Sequence, residues 1–149
     1  MLIRPATQRD LPAIAPLFDA YRQFYDQAPD LPRAMAFIQA RMANGESTIL
    51  VVQGDGGRLL GFCQLYPSFC SVAAAPIYVL YDLFVDPEAR KSGAGRALLQ
   101  AAEQYATSQG VARMDLTTAK TNLAAQSLYA SFGWVRDEVF FAYSKAVQA

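Results

Sequence analysis

The stretch VDPEARKSGAGRALL, residues 85–99, decides the fold and the kind of site that this chain can build. An apolar run ends at Val85, a turn follows, and a glycine-spaced loop then leads into helical spacing. The first turn of a helix leaves backbone N–H groups unpaired and carries roughly half a positive charge. Gly93 and Gly95 remove side chains that would block approach to that backbone. Three basic residues add positive charge there: Arg90, Lys91 and Arg96. The stretch therefore predicts a site for a phosphate or pyrophosphate.

Two familiar phosphate motifs do not fit this loop. A dinucleotide-binding GxGxxG starting at Gly93 would need glycine at position 98, which is leucine. A Walker loop would end in GK[ST], and the chain contains no such run. A nucleotide-binding switch domain is therefore disfavoured. An ordinary strand-to-helix turn with a solvated basic edge stays open as the structural alternative.

Length and composition indicate one globular domain, residues 1–149. Hydrophobic residues make up 53% and charged residues 17%, which is enough for a core and too little charge for disorder. The formal net charge of +0 indicates neither a nucleic-acid partner nor an anionic membrane. No apolar run reaches the ~18 to 20 residues of a membrane helix, and the N-terminus lacks a signal-peptide pattern. We therefore expect a cytoplasmic protein without a membrane partner.

The chain has two cysteines, Cys63 and Cys70, and no histidine. This composition predicts no metal site, because there is no CxxC pair and no imidazole ligand. The two cysteines are expected to be reduced thiols. Acid–base chemistry must then come from Tyr, Asp, Glu, Cys or water.

The apolar periodicity predicts an α/β chain with a mixed sheet, in the order β-α-α-β-β-β-α-β-α-β-β. The predicted strands are residues 1–5, 48–53, 58–69, 77–85 and 112–118, with one or two more in 134–145. The predicted helices follow an N-cap at Asp10 and cover residues 33–43, 94–109 and 122–133. Pro16 is expected to bend the first helix. The unit from Ile77 to Thr118 should form a parallel strand pair with a right-handed crossover.

Two segments of the chain resemble signature sequences of the GNAT superfamily of N-acetyltransferases. RKSGAG, residues 90–95, is similar to its R/Q-x-x-G-x-G/A signature. TNLAAQSLYASFGW, residues 121–134, is similar to its second signature, N-x-x-A-x-x-L-Y-x-x-x-G-[FW]. The resemblance is strong over 77–145 and weak over 20–75. It implies the GNAT fold, whose central parallel strands splay apart.

The resemblance also implies a cosubstrate, acetyl-CoA, and the residues that would hold it. Its pyrophosphate would bind the loop, and its pantetheine amides would pair with the backbone of the central strand. The strand residues are Leu83, Phe84 and Val85, and the loop residues are Arg90, Lys91, Ser92, Gly93, Ala94, Gly95 and Arg96. Asn122 and Ala125 of the second signature would contact the cofactor arm.

Tyr129, in the LY pair of the second signature, is the candidate general acid for the thiolate leaving group. It follows Asn122 by seven residues, about two helical turns or ~10 Å along the axis. A core tyrosine on an amphipathic helix is the alternative interpretation.

The resemblance does not supply the general base, because many GNAT members have a glutamate where this chain has Tyr81. Asp82 is the nearest carboxylate and lies in an apolar run, so it is the candidate. A structural hydrogen bond to a loop amide is the alternative role for Asp82. In a regular strand Tyr81 and Asp82 would lie on opposite sheet faces, unless a bulge changes the register.

Aromatic residues are candidates for the acceptor site, and we assign Tyr21, Tyr25 and Tyr81 to it. Aromatic rings surround cationic amines in some sites and pack in cores in others. The resemblance implies a small-molecule primary amine or a lysine side chain as acceptor, and leaves the choice and the acyl-chain preference open. The alternative function is a non-catalytic acyl-CoA-binding regulatory domain. VFFAYS, residues 139–144, is a candidate homodimer surface.

Overall fold

The computed structural model describes residues 1–148. The chain divides into two compact units, Met1–Thr117 and a second unit that begins at Thr118. The expectation of a single domain over 1–149 stays a prediction. Within the described residues, no helix is long and apolar enough to cross a bilayer.

The first unit contains a five-stranded mixed sheet and three α-helices. The strands are β1 (Leu2–Pro5), β2 (Thr48–Gln53), β3 (Leu59–Cys70), β4 (Ala75–Val85) and β5 (Met114–Asp115). The helices are α1 (Leu11–Phe24), α2 (Leu31–Ala43) and α3 (Ala94–Ser108). The strands lie in the order β1-β2-β3-β4-β5, antiparallel except for the parallel pair β4–β5. The predicted strand–helix–strand crossover through α3 is confirmed.

Both faces of the sheet are buried. Ile49, Val51 and Phe62 pack with α1 and α2 in one apolar cluster. On α3 the buried residues recur at helical spacing: Leu98, Leu99, Ala102 and Ala106. Because the central strands face helices on both sides, their sequences are nearly continuous runs of apolar residues.

The start of α1 is fixed by Asp10, whose carboxylate binds Arg4 of β1 through two hydrogen bonds of 2.7 and 2.9 Å. The same carboxylate accepts the Thr7 backbone N–H at 2.7 Å. The hydrogen bond from Arg4 is the main reason why the pKa of Asp10 falls to about 2. Pro16 lies on the exposed side of α1, and the helix continues through it to Phe24.

Several predicted boundaries need adjustment. Helix α2 begins at Leu31, because Asp30 accepts the Arg33 N–H as N-cap and Pro32 fits the first turn. Strand β5 is shorter than the predicted 112–118. Cys63 and Cys70 are both free thiols, as predicted.

The second unit contains α4 (Leu123–Ser131), and residues 132–148 contain no helix or strand. The terminal strands predicted within 134–145 are therefore wrong, although the fold class and the element order up to α4 are confirmed. Asp137 Oδ1 accepts the N–H groups of Val139 and Phe140, at 2.8 and 3.2 Å. This closes a side-chain turn inside the predicted strand, which a local apolar pattern does not reveal.

Candidate active site

Strand β4 contains a β-bulge at Tyr81. Asp82 lies opposite Gln64 of β3, but Leu80 lies opposite Leu65, so Tyr81 has no partner residue. Because Gln64 and Leu65 are adjacent, they point to opposite faces, and so do Leu80 and Asp82. The bulge thus turns Asp82 toward the face covered by α1 and leaves the Tyr81 side chain 66% exposed.

Asp82 is only 3% exposed, and a polar chain leads to it through the core. Gln64 Nε2 donates to Asp82 Oδ2 at 2.5 Å, and Ser47 Oγ donates to Gln64 Oε1 at 2.7 Å. Burial raises the pKa of Asp82 to about 6, against hydrogen bonds from Gln64 and Tyr21 that lower it. The group is therefore ionised at neutral pH yet basic enough to take a proton.

Tyr21 of α1 reaches the bulge, where its hydroxyl donates to the Tyr81 carbonyl oxygen at 3.0 Å. Its ring is fixed by edge-to-face contacts with Tyr25, Phe62 and Phe84, with centroid distances of 5.2, 6.1 and 6.2 Å. Burial is the largest cause of a raised pKa at Tyr21, and the nearby Asp82 charge adds to it. The structure thus brings Tyr21, Tyr25, Tyr81 and Asp82 together.

Further aromatic rings extend this surface. Tyr66 of β3 packs edge-to-face on Tyr81, with ring centroids 5.5 Å apart, and burial raises the pKa of Tyr66 to about 12. Phe24 packs against Tyr25 at 5.2 Å, and both side chains remain exposed. The surface beside the bulge is therefore largely aromatic.

Strand β4 has an open edge next to the bulge. Its parallel pairing with β5 is confined to Tyr78 with Met114 and Val79 with Asp115. Among residues 1–148, the segment from Leu80 to Val85 is paired with β3 alone. The parallel pairing therefore ends at Val79 and leaves Leu83, Phe84 and Val85 on a strand with one unpaired side, while the expected splay of the two strands stays a prediction.

The loop from Asp86 to α3 is ordered by its own hydrogen bonds. Arg90 Nε donates to the Val85 carbonyl at 3.2 Å, and its guanidinium carbon lies 5.6 Å from the Phe84 ring centroid. Ser92 Oγ donates to the Ala89 carbonyl at 2.5 Å and accepts the Ala94 N–H at 3.3 Å. Gly93 has φ +88°, which a larger residue adopts only with strain.

This loop places the first turn of α3 beside the end of β4. Gly95 and Arg96 lie in that turn, and Lys91 lies in the preceding loop with φ +66°. The contacts continue toward the bulge, because Phe84, which lies under Arg90, also packs on Tyr21. The predicted anion loop and the Asp82 site are therefore neighbouring parts of one surface.

In the second unit, Asn122 caps α4 by accepting the Ala125 N–H on Oδ1 at 3.2 Å. The Tyr129 ring lies 5.9 Å from the Trp134 ring, tilted by 52°. The Tyr129 carbonyl accepts the Trp134 N–H at 3.1 Å at the C-terminal end of the helix. The assignments of Asn122 and Ala125 to the cofactor, and of Tyr129 to acid catalysis, stay predictions.

A model of the acetyltransferase (GNAT) family matches residues 12–134. The chain belongs to the GNAT acetyltransferase family. It is similar to the uncharacterized N-acetyltransferase YhfO of Bacillus subtilis, with 48% identity over 149 residues, 100% of this chain and 99% of that protein. It also resembles the aminoglycoside N(6')-acetyltransferase type 1 of Klebsiella aerogenes, 30% identical over 102 residues, 66% of this chain and 65% of that one. A crystal structure of a probable acetyltransferase matches with a TM-score of 0.93 and 37% identity, covering 100% of this chain and 99% of the other.

Two polar residues of this GNAT acetyltransferase were missed by the sequence analysis. Gln64 and Ser47 belong to the Asp82 network, yet neither lies near Asp82 in sequence. One signal was available, because Gln64 interrupts an apolar run in a strand whose neighbours are buried. A buried glutamine needs partners, and that need points to a polar network.

Proposed function

We propose that this GNAT acetyltransferase transfers the acetyl group of acetyl-CoA to a primary amine, by direct attack in a ternary complex. One observation supports this proposal most strongly. The bulge in β4 places the buried, basic carboxylate of Asp82 beside an open strand edge. The loop that follows this strand leads to the first turn of α3, which is a helix start of the kind that binds anions.

The loop residues fit the diphosphate of acetyl-CoA. The first turn of α3 presents backbone N–H groups, and the glycine at 93 keeps the approach to it clear. Lys91 and Arg96 supply positive charge, while the Ser92 hydroxyl holds the loop in shape through Ala89 and Ala94. Arg90 is assigned a supporting role, because it binds the Val85 carbonyl.

The strand edge suits the amides of the pantetheine arm. The backbone of Leu83, Phe84 and Val85 offers donors and acceptors on the side that β5 does not cover. One N–H of this edge would also stabilise negative charge on the thioester oxygen during attack. Acetyl-CoA supplies the activated acetyl group, and Asn122 and Ala125 complete the predicted contacts with its arm.

Acid–base chemistry is assigned to two residues. A free alkylamine has a pKa of ~10 and is protonated at neutral pH, so attack requires loss of a proton. Asp82, with its pKa raised to about 6, is the general base. Tyr129 is the general acid that protonates the departing thiolate.

The acceptor is held by the aromatic surface beside the bulge. Tyr21, Tyr25 and Tyr81 present rings and a backbone carbonyl that suit an ammonium group. This chemistry fits a small-molecule amine or a lysine side chain.

We further propose a cytoplasmic homodimer that uses residues 139–144, whose large apolar side chains are exposed. Sedimentation showing only monomer at micromolar concentration would contradict the dimer.

An amine panel with detection of the released CoA thiol tests the function. The panel contains 2-phenylethylamine, spermidine, free lysine, a lysine peptide and kanamycin, an aminoglycoside. Calorimetry with acetyl-CoA is run in parallel. Transfer to at least one amine is expected. Tight cofactor binding without transfer to any amine would favour the non-catalytic acyl-CoA-binding domain instead.

A further inference from the structure

The Asp82 carboxyl is too buried to meet an acceptor amine directly. Only 3% of the residue is exposed, and Oδ2 already accepts a hydrogen bond from Gln64. A proton must therefore travel to Asp82 through another group. The polar chain through Gln64 and Ser47 ends on a partly buried hydroxyl in the loop between α2 and β2, across β3 from the bulge.

The Tyr21 hydroxyl is the group that connects Asp82 with the open side of the bulge. It donates to the carbonyl oxygen of Tyr81 at 3.0 Å, and the next residue, Asp82, lies on the same sheet face as the two rings on which Tyr21 packs, Phe62 and Phe84. Its ring is clamped by three other rings, so the position of the hydroxyl is fixed. Tyr21 itself is only partly buried, and Tyr81 beside it is exposed.

We propose that Tyr21 relays a proton from the acceptor ammonium to Asp82, with the Tyr81 carbonyl orienting the same ammonium. This relay rests on the proposed function. It assigns Tyr21 a chemical step in addition to its place in the aromatic surface.

The proton transfers balance as follows. An N–H bond of the ammonium breaks as a new O–H bond forms on the Tyr21 hydroxyl oxygen. The ammonium takes the place of the Tyr21 hydroxyl on the Tyr81 carbonyl, so the hydroxyl turns to Asp82, and its original O–H bond breaks as an O–H bond forms on Asp82. The products are a neutral amine, an unchanged phenol and a carboxylic acid. Because burial and the Asp82 charge raise the pKa of Tyr21, the two transfers must be concerted, without a separate phenolate.

Several titratable or charged groups surround Asp82 and its aromatic neighbours. Those that face it or its aromatic neighbours are Tyr21 from α1, Cys63 and Tyr66 from β3, Tyr81 from β4, and the Arg41–Glu46 pair that lies near Tyr66. Burial raises the pKa of both Cys63 and Tyr66 to about 12, so these groups are neutral near pH 6. A fall in the acetylation rate as the pH is lowered through 6 would therefore report protonation of Asp82.

The test compares two amines that differ in acidity, 2-phenylethylamine and its 2,2-difluoro analogue. The fluorines make the ammonium far more acidic, so this amine needs little help in losing its proton. We expect Tyr21→Phe to slow acetylation of 2-phenylethylamine at least ~10-fold, and to slow the difluoro amine no more than a few-fold. Asp82→Asn should give the same pattern, and the double variant should be little worse than either single one.

Tyr105→Phe is the matched control, because it removes a hydroxyl that bonds Thr48 on the face covered by α3. It should change neither rate. Equal slowing of both amines by Tyr21→Phe, in a wild-type enzyme that is active, would overturn the relay and leave the proposed function intact. If the wild type acetylates no amine, the proposed function fails and the relay fails with it.

A second readout is the pH dependence with the fastest amine of the panel. Removing the Tyr21 hydroxyl removes a hydrogen bond that lowers the pKa of Asp82, so the acid limb should move to higher pH. A ¹³C-carboxyl titration of Asp82 should show the same upward shift. An unchanged limb and an unchanged titration would exclude Tyr21 as the relay.

Discussion

Gln64 and Asp82 face each other across β3 and β4, and the glutamine donates its amide proton to the carboxylate. Ser47 fixes the orientation of that amide by donating to its oxygen. The pair places one buried charge and its donor in the middle of an apolar sheet. Because burial outweighs the hydrogen bonds, the carboxylate is less stable in the folded chain than in water.

Asp82→Asn should abolish most activity and yet stabilise the protein at alkaline pH. The folded pKa of about 6 lies above the ordinary value of 3.8, so ionisation of Asp82 costs folding free energy. That cost is absent below pH ~4, grows as the pH rises through 6, and amounts to about 3 kcal/mol at most. Denaturant unfolding should find the variant more stable than the wild type at pH 8 and not at pH 4.

The same variant should lose the acid limb of the rate profile, with turnover at least ~100-fold lower at pH 7.5. Asp19→Asn is the matched control, since Asp19 is also buried but binds the Asp30 N–H and Gln23 in α1 and its following loop. A wild-type profile without a limb near pH 6 would contradict the assignment of Asp82.

Gly95→Glu should weaken acetyl-CoA binding, because it puts bulk and negative charge in the first turn of α3. Calorimetry should show at least a ~10-fold loss of affinity, which corresponds to about 1.4 kcal/mol. Gln104→Glu carries the same added charge at an exposed position farther along α3 and should bind normally. Equal affinity in both variants would count against the loop as the diphosphate site.

Tyr129→Phe should leave acetyl-CoA affinity nearly unchanged and slow turnover at least ~10-fold. Only the hydroxyl is lost, so the ring contact with Trp134 is kept. Stopped-flow detection of the thiol, with Tyr143→Phe as control for an exposed tyrosine, measures the effect. Unchanged turnover would remove Tyr129 from the mechanism.

Asp10→Asn should destabilise the protein at neutral pH by about 1 to 2 kcal/mol. The folded pKa of about 2 lies below the ordinary value, so the Arg4 pair stabilises the fold above pH ~4. This contribution is lost as the pH falls through 2. In urea unfolding, the difference in unfolding free energy between the variant and the wild type should therefore be clearly smaller at pH 2.5 than at pH 7.

The central part of the fold could be predicted because its signals are local. A continuous apolar run gives β4, Gly93 and Gly95 mark the loop, and the apolar stripe of α3 follows at once. Asp82 could be identified as a candidate because burying a carboxylate among apolar residues costs free energy, which indicates a specific role for it. Neither inference needed knowledge of distant contacts.

The remaining features depend on pairing between distant segments. The register that sets Gln64 against Asp82 is fixed by the β3–β4 hairpin and its bulge, and no local pattern at Tyr81 reveals it. The segment around Phe140 and Phe141 has the composition of a strand, but Asp137 turns the backbone there. Composition favours a strand only where a partner and an uninterrupted backbone exist.

The unpaired residue at position 81 makes the site sensitive to chain length rather than to side-chain identity. Deleting that one codon would let β4 pair evenly with β3 and would leave Asp82 opposite Gln64, because Leu80 and Asp82 would then be adjacent and still point to opposite faces. What such a deletion would remove is the extra backbone carbonyl that accepts the Tyr21 hydroxyl, so the anchoring of α1 at this corner depends on a single surplus peptide unit in β4.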